Sequence, residues 1–383
     1  MRVLHFSEAE LAGRREAACR AMAARGLDGM LLFKPESHYY LTGYDTFGYC
    51  FFQCLYLGAD GRLALLTRAP DLRQAQQTSM IEDIRIWVDG IADHPAIGLR
   101  DMLRELKAGK RLGIERDTAG LTSAQGRAVD AALAAFALED ADDLVSRLRL
   151  VKSAAELAYV REAAKLADAA WAEAVRLTRP GADEAEIVAA MQGAVLAGGG
   201  DYPGNAFIVG SGAGALLCRY RSGRRQLDAI DQLTLEYAGV YRQYHACLMH
   251  TLLVGEASDE QRRMHAACLE ALEACEAALK PGEPLADVFH AHARVMDERG
   301  YNAARLNACG YSLGTVYPPC WMDWPMFHAG NAEVAAPDQV FFLHMILMHS
   351  ETGLAMCLGH TVRVTDDGVE RLNRAGLELV VNG

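Results

Sequence analysis

The stretch Asp231–Thr251, DQLTLEYAGVYRQYHACLMHT, decides how the rest of the chain is read. It predicts two β-strands, with Ala238-Gly239 as the turn between them. Glu236 stands among Leu233, Leu235 and Tyr237, where an ionised carboxylate is costly unless something holds it. Cys247, His245 and His250 lie on the second strand. The two histidines are an odd number of positions apart, so a regular strand sends them to opposite faces and they do not form a two-histidine metal pair.

Outward from this hairpin, two segments repeat at an offset of about 101 residues. Leu177-Thr178-Arg179-Pro180-Gly181 opens a helix that reaches Gly199, and Leu279-Lys280-Pro281-Gly282 opens one that reaches Gly300. A long helix precedes each, and a short strand leading to a glycine turn follows each: Gly210-Ser211-Gly212 and Gly310-Tyr311-Ser312. This is an internally duplicated α+β unit in which two helix pairs cover one face of a shared antiparallel sheet, with the hairpin between the halves. Upstream of about residue 148, strand and helix patterns alternate from the helix at Glu8 to Arg25, through the apolar run Leu27 to Phe33, to a helix from Thr122 to Ala135. They predict an α/β domain with a mixed or parallel sheet. The domains are placed at 1–148 and 149–383, with Ser153 and Glu156 forming a capping box on the helix that opens the second.

Composition narrows the function classes. The 383 residues carry a net charge of −12 and no long Lys/Arg block, which argues against nucleic acid as a partner. No 18-residue apolar span and no signal-peptide pattern is present, so a soluble, cytoplasmic protein is expected, with no membrane partner. Ten cysteines without a CxxC pair read as buried free thiols. Gly210, Gly212 and Gly214 spell GxGxG, but no strand–helix unit with a following acid supports a dinucleotide site. His290 and His292 read as solvated or packed residues.

A two-domain chain with an arginine–lysine–serine linker ahead of a long helix and duplicated Pro-Gly helices resembles the creatinase, prolidase and methionine aminopeptidase superfamily. The resemblance implies an α/β creatinase-like N-terminal domain and an α+β pita-bread C-terminal domain with an internal pseudo-two-fold repeat. In the metallopeptidases of that superfamily, five ligands hold two metal ions. Carried over position by position, this chain offers Glu236 and Cys247 for the Asp pair, Tyr311 for the His, His344 for the first Glu and Gly359 for the second. Two hard divalent ions need bridging carboxylates, and one carboxylate remains. The resemblance therefore points to the metal-independent, creatinase-like branch, with no metal and no cofactor. A single zinc held by Glu236, Cys247 and His344 is the chemical alternative.

Within that branch, ALLCRYRSGRR (215–225), LTLEYAGVYRQYH (233–245), RLNACGYSLG (305–314), WMDWPMFHAGN (321–331) and FFLHMILMHSETGLAMCLG (341–359) resemble the ectoine hydrolases, which open the cyclic amidine ectoine to acetylated diaminobutyrate. Creatinase carries a catalytic His where Arg219 stands, which argues against creatine as substrate. Ectoine is a small zwitterion, so the resemblance implies an anion for its amidinium, a cation for its carboxylate and aromatic faces for its ring. Glu236 supplies the anion and acts as nucleophile or as base toward water. Arg219 or Arg221 clamps the carboxylate. Tyr311 and His344 face the same cleft, with His344 protonating the leaving nitrogen, and Cys247 joins the lining. Tyr44, Phe47 and Tyr49 form an aromatic lid, contributed across a homodimer interface. The blander rivals are an ion-paired Glu236, a core His344 and Cys247, one solvent-facing arginine, and Tyr39, Tyr40, Tyr44, Phe47 and Tyr49 as core; Phe51 and Phe52 are read as core. The competing functions are a Xaa-Pro dipeptidase-like metallopeptidase with a degenerate site and a catalytically inactive binding member.

Overall fold

The computed structural model describes residues 2–90, 94–217 and 225–383. The chain divides into two compact units, Met1–Arg149 and Leu150–Gly383. Each is built around its own sheet.

In the first unit, α1 (Glu8–Ala24) starts where the Ser7 hydroxyl accepts from Glu10 N, and it buries Leu11, Arg14, Ala18 and Met22 at helical spacing. Then come β1 (Gly29–Leu32), α2 (Pro35–Thr42), β2 (Cys54–Gly58), β3 (Leu63–Arg68), α3 (Leu72–Thr78), β4 (Asp83–Trp87), α4 (Pro95–Glu105), β5 (Arg111–Ile114), α5 (Ser123–Ala132), β6 (Ala137–Asp140) and α6 (Asp142–Leu150). The strands form a six-stranded sheet in the order β4-β3-β2-β1-β5-β6. It is mixed: β2 is antiparallel to β1 and β3, while β5 runs parallel to β1 and β6. Every residue of β1 is buried because both faces are covered. Met30 and Leu32 pack into one core with Leu55, Leu57 and Ala18, and Leu31 into another with Leu112, Ile114 and Phe52.

The second unit continues with α7 (Ala154–Leu177), α8 (Glu184–Ala197), β7 (Ile208–Ser211), β8 (Asp231–Tyr241), β9 (Tyr244–Val254), α9 (Asp259–Ala278), α10 (Leu285–Glu298), β10 (Gly310–Ser312), β11 (Asp323–Met326), β12 (Val340–His349), β13 (Leu354–Val364), β14 (Val369–Arg371) and β15 (Val380–Asn382). Ser153 and Glu156 form the capping box that starts α7, and Ser258 with Gln261 repeats the device on α9. Gly181 and Gly282 precede the second helix of each pair, both with left-handed φ, +76° and +87°. The sheet order is β11-β10-β12-β13-β9-β8-β7, so β7-β8-β9 and β10-β12-β13 are corresponding triplets that meet at β9 and β13. Gly310-Tyr311-Ser312 and Ser211 belong to strands rather than turns.

The hairpin differs from the sequence reading at its turn. β8 runs through Ala238-Gly239, and the chain reverses at Arg242-Gln243, both left-handed at φ +49° and +67°. Gly239 serves a different purpose. A Cβ there would lie 2.0 Å from the Ala163 carbonyl oxygen and 2.4 Å from Ala167 N, so the absent side chain lets α7 lie directly on β8. Among the described residues, no helix is long and apolar enough to cross a membrane, and the nine described cysteines are unpaired. Cys50 is exposed rather than buried.

Candidate active site

Gly239 faces α7, so strand alternation turns Glu236, three residues earlier, to the opposite face of the sheet. Directly paired residues share a face, and one row runs Ile208, Glu236, Met249, Gly359, His344 across five strands. Ile208 ends this row on one side, and beyond His344 on the other Cys309 O accepts from His344 N, 3.0 Å. Glu236 and His344 are therefore corresponding positions of the two triplets, on either side of the Met249–Gly359 pair. Two residues further along the strands lies a second row on the same face, containing Ala238, Cys247, Thr361, Phe342 and Tyr311.

The Tyr311 hydroxyl donates to Glu236 Oε1 at 3.1 Å. Strands β8 and β10 are four spacings apart, about 19 Å in a flat sheet, so this contact requires a strongly curved sheet whose edge folds over the central row. Tyr311 also lies 5.5 Å, ring centre to ring centre, from both His344 and Phe342. The structure thus places Glu236, Cys247, Tyr311 and His344 on one face of the sheet.

The sequence reading did not assign Trp321. Its side chain is wholly buried, and its indole Nε1–H donates to the Tyr311 hydroxyl oxygen at 2.8 Å. An indole only donates, so the tyrosine oxygen accepts there and sends its single proton to Glu236. Trp321 is held in turn: its main-chain N–H donates to Asn205 Oδ1, 3.1 Å. The neighbouring Gly204 N–H donates to His245 Nε2, 2.9 Å, which puts the His245 proton on Nδ1, toward Gln243 O. Burial lowers the His245 pKa to about 4, so the ring stays neutral. His250 points the other way, stacked on Trp171 at 4.1 Å with Nε2 toward Gly376 O, as expected for an odd spacing.

Electrostatics fix which groups carry protons. Burial, reinforced by the Glu236 charge, pushes the Tyr311 hydroxyl well above its ordinary value, so it remains a donor. Burial, then the Glu236 charge, likewise raises Cys247, which stays a neutral thiol and not a nucleophile at neutral pH. Its main chain is pinned by Thr361, whose hydroxyl accepts from Cys247 N and donates to Cys247 O.

The superfamily's metal ligands can be tested against these residues. The five positions hold one carboxylate, one thiol, one phenol, one imidazole and one glycine, and the phenol spends its proton on the carboxylate. Among the described residues, no three His, Cys, Asp or Glu side chains converge to hold a metal ion. This donor set does not fit a pair of hard divalent ions, and it gives no support to the zinc alternative.

Arg219 and Arg221 lie outside the described residues. Arg225 is committed to Asp228 and Asp231 and donates to Ser211 Oγ. The aromatic lid needs correction. Tyr44 is fully buried in the first unit, stacked on His38 and donating to Gln53 Oε1 at 2.8 Å, so it is a core residue with no face to offer a ligand. Tyr39 and Tyr40 are also buried. Phe51 is not core: it is 40% exposed beneath the Arg68 guanidinium, 3.9 Å from its ring centre. Phe47 is 74% exposed and meets Tyr49 edge-on, ring centres 6.3 Å apart.

The described geometry is a duplicated, curved sheet with a carboxylate at its centre, and the comparisons with known proteins agree with it. The metallopeptidase family M24 model matches residues 158–366, and the creatinase/prolidase N-terminal domain model matches residues 14–151. The chain belongs to family M24. Its two domains are accordingly the creatinase-like N-terminal domain and the pita-bread domain of that family. An uncharacterized hydrolase/peptidase of Sinorhizobium fredii is 29% identical over the whole of both chains. An ectoine hydrolase of Halomonas elongata is 26% identical over 96% of both. Among solved structures, the Xaa-Pro dipeptidase from Bacillus anthracis superposes with a TM-score of 0.84 at 22% identity, over 97% of this chain and 99% of that one, a likeness of fold. Within M24 the chain is a hydrolase.

Proposed function

We propose that this M24 chain is a metal-independent hydrolase that opens a C–N bond of a small cyclic amidine, with ectoine as the best-fitting substrate. The observation that carries the reading is the Trp321–Tyr311–Glu236 chain of hydrogen bonds, in which Tyr311 and Glu236, at two of the positions assigned to the family's metal ligands, form an organised carboxylate. The full-length likeness to the Halomonas elongata ectoine hydrolase supports the substrate.

In this reading Glu236 faces the carbon between the two ring nitrogens. It either takes a proton from the water that attacks that carbon, or attacks the carbon itself to form a covalent adduct whose bond to the Glu236 oxygen is then broken by water, which regenerates the carboxylate. Tyr311 keeps its hydroxyl hydrogen throughout and fixes the orientation of the Glu236 carboxylate. His344, beside Tyr311, gives a proton to the ring nitrogen as the C–N bond breaks, so that one water is added and an N-acetyl diamino acid leaves. Cys247 contributes a neutral wall. Arg219 or Arg221 clamps the substrate carboxylate, and Phe47 with Tyr49 from a second copy of the chain covers the ring.

The test is incubation of chelator-dialysed enzyme with ectoine, followed by mass. A gain of one water, lost by orders of magnitude in Glu236→Gln, supports the reading. Activity that disappears on dialysis and returns with divalent metal refutes metal independence, and no mass change refutes the substrate class. Sedimentation equilibrium tests the homodimer.

A further inference from the structure

Glu236 stands between two unlike environments. Toward the Cys247–Thr361–Phe342 row it meets the Tyr311 hydroxyl. On its other side, toward the row of Thr234, Thr251 and Cys357, it borders a small recess lined by Ile208, Leu217, Thr234, Met249, Met348 and Cys357. The recess gives the centre of a water-sized sphere about 10 Å³ of room, enough for one water or one methyl group. Apart from Glu236 itself, its described lining residues include no charged side chain. Its one hydroxyl, Thr234 Oγ1, is taken up by the main chain, within 3.1 Å of Ala215 O and 3.3 Å of Gly210 O.

We infer that this recess seats the substituent on the reacting carbon and selects substrates in which that substituent is a methyl group, the acetamidine class. The inference rests on the amidine reading above. A trigonal carbon presented to Glu236 carries two nitrogens and one further group in its plane. The nitrogens need donors and acceptors, which lie on the Tyr311 and His344 side. The third group is left to the apolar side. An amino group there, as in a guanidine, would find no acceptor among the described side chains of the recess other than Glu236, which is turned to the reacting carbon. A hydrogen would leave the recess unfilled, and an ethyl group exceeds it. A methyl group fills it. Met348, partly exposed at the end of β12, forms a wall that can be cut back without touching the hydrogen-bonded row.

The test compares kcat/KM on three tetrahydropyrimidine-4-carboxylates that carry hydrogen, methyl or ethyl on the carbon between the nitrogens, with the wild-type chain and with Met348→Ala. The wild type is expected to prefer methyl over hydrogen and over ethyl by about 10- to 100-fold, the scale on which an apolar pocket senses one carbon. Met348→Ala should raise the ethyl-to-methyl ratio about tenfold. Cys357→Ala, an independent enlargement, should move the ratio the same way and guards against a Met348 variant that folds poorly. Equal kcat/KM on the three substrates, or ratios unmoved by both variants, overturns the assignment while leaving the amidine reading in place. Absence of ring opening with all three overturns that reading and this assignment with it.

Discussion

Tyr311→Phe isolates the hydroxyl at the centre of the site. The ring is retained, so the contacts with Phe342 and His344 at 5.5 Å survive. What disappears is the 3.1 Å bond to Glu236 and the acceptor for the Trp321 indole 2.8 Å away. A hydrogen bond to a charged group contributes about 1.5–3 kcal/mol, and an orphaned buried N–H costs about 1–3 kcal/mol. Those figures overlap in practice, and a loss of about 2–4 kcal/mol of folding stability is expected from urea denaturation. Ring-opening kcat should fall about 10²- to 10³-fold, the scale for removing one preorganised donor from a reacting centre. Trp321→Phe leaves the hydroxyl but removes what fixes its direction, so it should lower kcat less than Tyr311→Phe does. The double variant should be no slower than Tyr311→Phe alone, because both act through one proton. A Tyr311→Phe enzyme within threefold of wild-type kcat, or losses in kcat that multiply in the double variant, would refute the idea that the indole acts through the phenol on Glu236.

Gly239→Ala places a methyl group 2.0 Å from the Ala163 carbonyl oxygen, so α7 must lift from β8; a loss of about 3 kcal/mol or more in the denaturation midpoint is expected, and a neutral outcome would contradict the packing. Burial lowers His38, His245, His250 and His292 to about 4. The unfolded chain binds these protons first, so their stabilisation is complete above about pH 6.5 and is lost as pH falls toward 4. Glu115, raised by burial to about 7, has the opposite sign: its contribution is present below the ordinary carboxylate range and fades as pH rises through 7. A urea midpoint that fails to fall between pH 7 and pH 4.5 would mean that the histidine burial does not govern the acid limb. Phe47→Ala removes an exposed ring, so stability should hold within about 0.5 kcal/mol while KM for the amidine rises; an unchanged KM would remove Phe47 from the substrate contacts.

Glu236 was legible because alternation and a buried charge are local signals, and the duplicated helices because Pro-Gly starts repeat at a fixed offset. The turn was not. Gly239 looks like a turn residue, yet it is small because a helix passes over it, and the residues that do turn, Arg242 and Gln243, lack the usual glycine or asparagine. Trp321 was missed for a non-local reason. Its role exists only because the sheet curves enough to carry Tyr311 over β8, and no periodicity in 321–331 reports curvature. Its donor-only indole in a Pro-flanked loop was the available signal. Tyr44 was misplaced because the aromatic run reads as one surface. In fact α2 ends at Thr42, and Gly43, at φ +81°, turns Tyr44 back into the core beside His38.

The correspondence of Glu236 and His344 has an evolutionary reading. When a gene segment is copied in tandem, both copies begin with the same group at the same address, and either can be rewritten without disturbing its twin. The chain has used that liberty to put a carboxylate in one address and an imidazole in the other. The exchanged pair, Glu236→His with His344→Glu, would present the same two functional groups in mirrored order about the axis between β9 and β13.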